Sequence, residues 1–360
     1  MNKATLAMLK ELTEAHGVPG FEEEIQSVIK KHLPPRTRIE YDRLGSIVCK
    51  KEGTKPAPRI MVPGHMDEIG FMVKMITAEG FIKFAPLGGW PDQVVLSQRV
   101  VIRGSWGDVP GLVGSKPPHL MTPEERTKLI KKDEMFIDVG AKDKKEVTEK
   151  LGIRVGDPIA PDSPFGTLKN KKLLVAKAWD DRVGCGLFVD LLKALQGQDH
   201  PNTVYGVGTV QEEVGTRGAK TCAEVVNPDI CIVVESGIAG DMPGMKPEEA
   251  QATLGGGPLI YVLDGGMIAH RRLRDFVVSV AEKKKIPYQF SLMEGGATDG
   301  RPIHLHARGV PALFIGVPVR YIHCHAGILN ADDYDHTVTL LVETVKRLDA
   351  KAVAEIAGGA

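Results

Sequence analysis

Apolar residues along the chain follow first a helical and then a strand-like spacing. Leu6, Leu9 and Leu12 share one helical face, and a second apolar stripe runs over residues 25–33 after a break that contains two glycines. Short apolar runs with strand character follow at 38–41, 47–49 and 59–63. The pattern predicts two opening helices and then three strands, the last of which leads directly into the polar segment GHMDEIG.

The sequence pattern is different between residues 70 and 164. This stretch has short β-like runs, many glycines and prolines, and a small helical segment over 123–132, whereas strand and helix patterns alternate after Phe165. We therefore expect an α/β domain, with a mixed sheet and flanking helices, formed by residues 1–69 and 165–360. Residues 70–164 are expected to form an inserted small β-rich domain. The C-terminal IAGGA is predicted to be frayed.

Composition excludes several classes of protein. Lys plus Arg and Asp plus Glu are balanced at 46 each in 360 residues, so no net field attracts nucleic acid or anionic lipid. Five cysteines without paired short spacings argue against a disulfide framework and a thiolate zinc site. No apolar run approaches the roughly 20 residues of a membrane-spanning helix, and the N-terminus lacks a secretory pattern. We expect a cytoplasmic protein that binds neither nucleic acid nor membranes.

Five polar residues follow predicted strands, at the edge of an α/β sheet where ligands collect: His65, Asp180, Glu213, Glu235 and His323. Each alone has an ordinary explanation, such as a polar turn, a helix N-cap for the Asp180–Asp181 pair or a solvated strand end. Together they predict a site for two metal ions. Imidazole and carboxylate ligands without cysteine suit zinc, cobalt or manganese in a hydrolytic role.

Neighbouring residues refine this hypothesis. Asp67 lies two positions after His65 in extended chain, so its carboxylate is expected to hold the second ring nitrogen of that histidine. Glu212 and Glu213 would face opposite ways in a strand, whereas a turn lets one bind metal and the other face the bound water. His325 is predicted on the same face of an extended segment as His323. Cys324 between them offers a thiol-protease alternative, but no activating context is visible.

Glycine-rich segments at 88–91, 254–258 and 295–300 lack the spacing of phosphate-binding loops and are interpreted as tight turns.

The ordered motifs resemble those of the tetrahedral aminopeptidases, dinuclear metallopeptidases that include glutamyl, leucyl-type, lysyl and deblocking enzymes. The resemblance covers almost the whole chain and includes VPGFEEEI, GHMDEIGFMV, GLVGSKPPHLMTPEER, AWDDRVGCG, QEEVGTRGA, ESGIAGDMPG, GGATDG and VPVRYIHCHAG. It implies a zinc-exopeptidase-like catalytic domain, peptide substrates, and an insert that builds dimers and a tetrahedral dodecamer.

Position by position, the resemblance implies two divalent ions per subunit, zinc or cobalt, or else manganese. Asp180 would bridge them, with His65 and Glu235 on one ion and Glu213 and His323 on the other. Glu212 would be the general base, and Asp67 is predicted as a second catalytic residue. The remaining implied roles are a substrate pocket that includes Gly296, Thr298 and Asp299, supporting contacts from Asp181 and His325, and a cis peptide between Asp180 and Asp181.

Two departures from the family pattern leave alternatives open. Many members have aspartate where this chain has Glu235, and many have serine and proline where it has Cys324 and His325. Neither change removes a metal ligand, but Glu235 keeps a carboxypeptidase direction of attack as an alternative. A glycoside hydrolase is a second alternative because the chain is rich in carboxylates, although aromatic residues are only 5% of the sequence.

Overall fold

The computed structural model describes residues 1–246 and 248–358. Within these residues the chain forms a twelve-stranded mixed sheet with flanking helices and a separate closed barrel of six strands. The predicted fold class is therefore confirmed. No described helix is both long and apolar enough to cross a bilayer.

The strands are β1 (Arg38–Tyr41), β2 (Ile47–Lys51), β3 (Arg59–His65), β4 (Gly70–Ile76), β5 (Ile82–Leu87), β6 (Arg99–Gly104), β7 (Gly107–Gly114), β8 (Phe136–Asp138), β9 (Pro158–Pro161), β10 (Gly166–Thr167), β11 (Leu173–Ala176), β12 (Thr203–Thr209), β13 (Ile230–Ile238), β14 (Leu259–Asp264), β15 (Met267–Ile268), β16 (Gln289–Leu292), β17 (Ala312–Arg320) and β18 (Gly327–Asn330). The helices are α1 (Lys3–Glu14), α2 (Glu23–His32), α3 (Pro123–Arg126), α4 (Trp179–Ala194), α5 (Arg217–Val226), α6 (Arg271–Lys284), α7 (Gly300–Ile303), α8 (Ala331–Val345) and α9 (Ala350–Ala357).

Four parallel strands lie at the centre of the large sheet in the order β12-β3-β13-β17. In β13, Ile232 and Val234 belong to one apolar core, and Cys231 and Val233 belong to another on the opposite face. Helices cover both faces, which explains why these strands are apolar on both sides. Because the strands are parallel, their carboxyl ends meet at one edge, and the chain must leave the sheet there through polar turns.

The barrel is made by β4 to β9, closed in the order β4-β5-β8-β7-β6-β9. Its interior is apolar, and Phe71, Ile82, Ile102, Ile137 and Ile159 are all fully buried. The chain enters the barrel from the carboxyl end of β3, only five residues after His65, since β4 begins at Gly70. The barrel therefore starts beside the predicted metal ligands.

One local prediction was wrong, and a second was wrong for the part that the structure describes. The helix expected over 123–132 is a single turn that ends at Arg126 and buries no residue, so it has no apolar face packed against a core to extend it. The C-terminal segment predicted to fray begins in α9, because Ile356 packs into the main core with 4% of its surface exposed. Residues 359–360 of that segment lie outside the described residues.

Candidate metal centre

The structure brings together all five predicted metal ligands at the carboxyl edge of the parallel strands. His65, Asp180 and Glu235 form one group, and Asp180, Glu213 and His323 form a second, with one ligand atom per residue lying within 4.8 Å of the others in its group. Asp180 is common to both groups. Its two carboxylate oxygens lie 3.0 Å from Nε2 of His65 and 3.2 Å from Nε2 of His323.

The start of α4 separates the roles of the two adjacent aspartates. Asp180 and Asp181 have non-helical backbone angles, and the peptide bond between them is cis, as the family resemblance implies. Asp181 accepts hydrogen bonds from the backbone amides of His65 and Gly184, both at 2.9 Å. It therefore caps the regular part of α4 and ties it to the end of β3, which leaves Asp180 to face the two histidines.

The turn after β12 carries Glu212 and Glu213 into the site. Gln211 has a positive φ of 56°, which ends the strand direction. Asp67 holds the next two residues, because its carboxylate oxygens accept the backbone amides of Glu212 and Glu213, each at 3.0 Å. The Asp67 carboxylate also lies 3.6 Å from Nδ1 of His65, the ring nitrogen that it was predicted to hold, although the backbone carbonyl oxygen of Asp67 is nearer, at 3.0 Å.

Glu235 lies within a strand rather than at its end. β13 continues to Ile238 because it stays paired with β17 up to the pair formed by Ile238 and Val319. Its pairing with β3 is confined to Ile230 and Cys231. The two strands diverge beyond that point, and the gap between them exposes Glu235 to the site.

The segment that contains His323 is a turn, so the prediction of an extended segment was wrong. Tyr321 and His323 have positive φ values of 63° and 56°. The ring of His323 reaches Asp180, and its Nδ1 lies 2.7 Å from the backbone carbonyl oxygen of Gly89, in the segment that follows β5. His325 points elsewhere: its ring packs 5.0 Å from the ring of Trp90, and neither ring nitrogen has a hydrogen-bond partner among the described residues.

Burial and the closeness of several carboxylates shift the pKa values of the site residues. Burial, reinforced by neighbouring carboxylates, raises the pKa of Glu212 and Glu235 well above the ordinary value and that of Glu213 to about 8. Burial would also raise the pKa of Asp180, but hydrogen bonds from His323 and His65 outweigh it and hold that pKa low. The site concentrates more buried negative charge than its own histidines neutralise.

The donor set fits divalent cations. Oε1 of Glu213 is buried and has no hydrogen-bond partner among the described residues, and a bound cation would satisfy it. Two imidazoles and three carboxylates, without thiolate, suit zinc, cobalt or manganese. Each group offers three protein ligands, a number that would leave a coordination position open on a bound ion, as a catalytic site requires. Cys324 is partly buried, which raises the pKa of its thiol and disfavours a reactive thiolate.

A cavity of about 330 Å³ opens onto the two groups of ligands. Its walls include Glu212 together with Tyr261, Met293, Gly296 and Arg301. Of the predicted pocket residues, Gly296 lines this cavity, whereas Thr298 and Asp299 are 0% and 1% exposed and lie behind its wall. They are fixed there by Thr298 donating to Asp264 and by Thr209 donating to Asp299.

Sequence reasoning did not assign Tyr261 and Arg301 to the cavity, nor Gly89 to the metal centre. Tyr261 stacks on Phe314 with ring centroids 4.0 Å apart. An aromatic residue within an apolar strand is typical of a hydrophobic core, so the sequence pattern did not indicate a cavity residue. Gly89 belongs to a glycine-rich segment that was interpreted only as a tight turn. Its carbonyl contacts His323 across 234 positions of chain, a separation that no local pattern reports.

Comparison with known proteins gives consistent matches. The family model described as M42 glutamyl aminopeptidase matches residues 45–340. The glutamyl aminopeptidase of Lactococcus lactis is 36% identical over 351 residues, which cover 97% of this chain and 98% of that protein.

Solved structures match over nearly the full length as well. The TET aminopeptidase of a marine-sediment thaumarchaeon has a TM-score of 0.95 and 44% identity, covering 98% of each chain. The TET1 peptidase of Pyrococcus horikoshii, which can assemble into a tetrahedron or a large octahedral shell, has a TM-score of 0.87 and 29% identity, covering 96% of this chain and 100% of that one.

Proposed function

We propose that this chain, which belongs to the M42 glutamyl aminopeptidase family and is a peptide hydrolase, removes N-terminal residues from peptides at a centre of two metal ions. The observation that carries the proposal is the position of Asp180. It belongs to two separate groups of potential ligands at once, and both groups border the same cavity. A carboxylate in that position can bridge two cations, which a single-ion site does not require.

We assign His65, Asp180 and Glu235 to one ion and Asp180, Glu213 and His323 to the other. Zinc, cobalt and manganese all suit these donors. When bound, two such ions lower the pKa of a coordinated water and polarise the carbonyl of the peptide bond to be cleaved.

Glu212 is the proposed general base. It lines the cavity, and its Oε2 lies 3.9 Å from Nε2 of His65, beside the ligands but outside both groups. Its carboxylate accepts the proton of the attacking water and passes it to the leaving amine. Asp67 supports this role through the backbone, because it holds the amides of Glu212 and Glu213 and so sets the direction of both side chains.

We further propose that the inserted domain, residues 70–164, mediates self-association of a cytoplasmic homo-oligomer. The P. horikoshii relative assembles into closed shells, and this chain covers its full length. Segments between the barrel strands also expose large apolar side chains, including Trp106 at 68% and Leu120 at 69%. A dimer that builds a dodecamer is the expected state. Native mass spectrometry of the full chain tests this, and a monomer at micromolar concentration would contradict it.

The test of the activity compares an unblocked peptide with its N-acetylated form. We expect the protein loaded with cobalt or zinc to release amino acids one at a time from the N-terminus of the unblocked peptide only, and a chelator to stop the release. Trimming from the other end would identify a carboxypeptidase. Chelator-resistant cleavage of a β-glucan would identify a glycosidase.

The role of Glu212 is tested by Glu212→Gln. This variant keeps the size of the side chain, and we expect kcat to fall by about 10²–10⁴-fold while two metal ions remain bound. The control is Glu52→Gln, at a side chain that is 69% exposed and belongs to neither ligand group. A Glu212→Gln variant that retains kcat with full metal content would exclude the proposed base.

A further inference from the structure

Three consecutive amides in the turn that carries Glu212 and Glu213 donate to side chains and not to a neighbouring strand. The backbone amide of Gln211 donates to Oε1 of Glu22 at 3.1 Å, and the amides of Glu212 and Glu213 donate to Asp67. Two buried carboxylates therefore hold three successive amides. The sequence motifs draw attention to Asp67, but nothing in them assigns a contact to Glu22.

Glu22 belongs to the N-terminal segment and reaches the turn after β12 through its buried side chain. It lies immediately before α2, is 4% exposed, and makes no side-chain hydrogen bond to the helix that it precedes. The same Oε1 atom that accepts the amide of Gln211 also accepts the amide of Gly20 at 2.8 Å. Gly20 has a positive φ of 89°, so the chain turns sharply there. Glu22 thus joins a turn near the N-terminus to the turn that follows β12, across 189 positions of chain.

The conformation at Gln211 needs such a partner. A non-glycine residue at φ 56° is disfavoured unless its surroundings determine it. Glu22 holds the amide of Gln211 at the point where the chain turns toward Asp67, and the amide of Arg217 donates to the carbonyl of Gln211 at 3.2 Å from the other side of the turn. Without an acceptor at Glu22, a partly buried amide would lose its partner and the turn could relax toward a strand-like path. That path would point the two glutamates in opposite directions.

We propose that Glu22 is a positioning residue for the catalytic turn: its side-chain oxygen holds the Gln211 amide and thereby fixes the directions of Glu212 and Glu213. This rests on the proposed function for its catalytic consequence, but the contact itself is independent of it. The acceptor atom is what matters. Burial and the nearby Asp67 raise the pKa of Glu22 to about 7, and either protonation state leaves an oxygen that can accept both amides.

Two readouts test the proposal. Hydrogen–deuterium exchange of the metal-free protein, read on peptides covering 207–216, reports the Gln211 amide directly. Steady-state kinetics of the metal-loaded protein report kcat and KM separately. In Glu22→Leu we expect exchange in this segment to accelerate at least roughly tenfold and kcat to fall at least roughly tenfold, with KM within about threefold.

Rescue and control variants separate positioning from general destabilisation. Glu22→Gln presents an oxygen at the same place, and both readouts should return to within about threefold of wild type. Glu23→Leu alters the exposed neighbour in the first turn of α2 and should leave both unchanged. If Glu22→Leu does not fold, Glu22→Asp replaces it, since a side chain one methylene shorter cannot reach both amides.

The proposal is overturned if folded Glu22→Leu, or Glu22→Asp in its place, leaves exchange of residues 207–216 or kcat within about twofold of wild type. It is also overturned if Glu22→Gln is as impaired as Glu22→Leu, because then the charge and not the acceptor is required. A wild-type protein without peptidase activity would refute the proposed function, while the exchange data would still decide whether Glu22 holds the turn.

Discussion

Glu68 is the counter-charge that two buried cations share beside the candidate metal centre. Its carboxylate oxygens lie 2.5 and 2.7 Å from Nζ of Lys177 and 3.4 Å from the guanidinium of Arg182. The exposed fraction of each side chain is 2% or less. Both cations also donate to backbone carbonyls near the end of α1, including that of Ala15. The cluster therefore ties the N-terminal helix to the strand and helix that carry His65 and Asp180.

Glu68→Gln preserves the shape of the side chain and removes its charge. At about 2.7 Å and an effective dielectric constant of about 20, the lost attraction to Lys177 alone is about 6 kcal/mol before reorganisation. Variants that leave a buried charge uncompensated typically lose about 3–5 kcal/mol of the free energy of unfolding. We expect a loss in that range at pH 7 for metal-free protein, measured by urea unfolding followed through tryptophan fluorescence.

The loss should depend on pH in a defined direction. Burial lowers the pKa of Lys177 in the folded protein below its ordinary 10.5, and removal of Glu68 lowers it further. Between the folded and unfolded pKa values the unfolded chain binds the extra proton, so stability rises as pH rises through this window. The penalty of Glu68→Gln should therefore be smaller at pH 9.5 than at pH 7.

Glu125→Gln provides the control, because it removes a comparable contact with Lys116 at 2.9 Å between side chains that are about half exposed. We expect it to cost less than about 1 kcal/mol. A loss below about 1 kcal/mol for Glu68→Gln at pH 7, or a penalty that does not shrink at pH 9.5, would refute the assignment of Glu68 as the essential counter-charge.

Three further predictions follow from the site. A Cβ atom at Gly184 would overlap a backbone carbonyl of β13, so Gly184→Ala should lower the thermal midpoint and the affinity for metal, whereas Gly166→Ala, in open space, should change neither. Burial lowers the pKa of His325 to about 4 from an ordinary 6.5, so the folded protein loses stability as pH falls through that window. His325→Phe should therefore reduce the drop in thermal midpoint between pH 7 and pH 5, and a drop equal to that of the wild type would contradict this. Asp67→Asn leaves one oxygen for two amides and should lower kcat by about 10–100-fold; the thermal midpoint should also fall, because an amide of the turn loses its acceptor. A kcat within twofold would show that one acceptor suffices.

The sequence by itself determined the fold class and the identity of the candidate ligands. Apolar strands such as β3 and β12 are recognisable locally, and a polar residue at the end of such a strand is costly to bury without a partner. That local cost is why His65, Asp180, Glu213, Glu235 and His323 were found although they are spread over more than 250 positions. Their ordered motifs also identified the family.

Only the tertiary structure decided how these residues are held. The Asp67 carboxylate binds the amides of Glu212 and Glu213 in addition to facing the ring of His65, and Glu22 holds Gln211 from a turn 189 residues away. His323 leaves the strand in a turn and contacts Gly89, which lies in the segment after β5. Such contacts depend on where distant turns meet in space. Residue periodicity reports which face of its own element a side chain occupies, but it carries no information about the partner that another part of the chain brings to it.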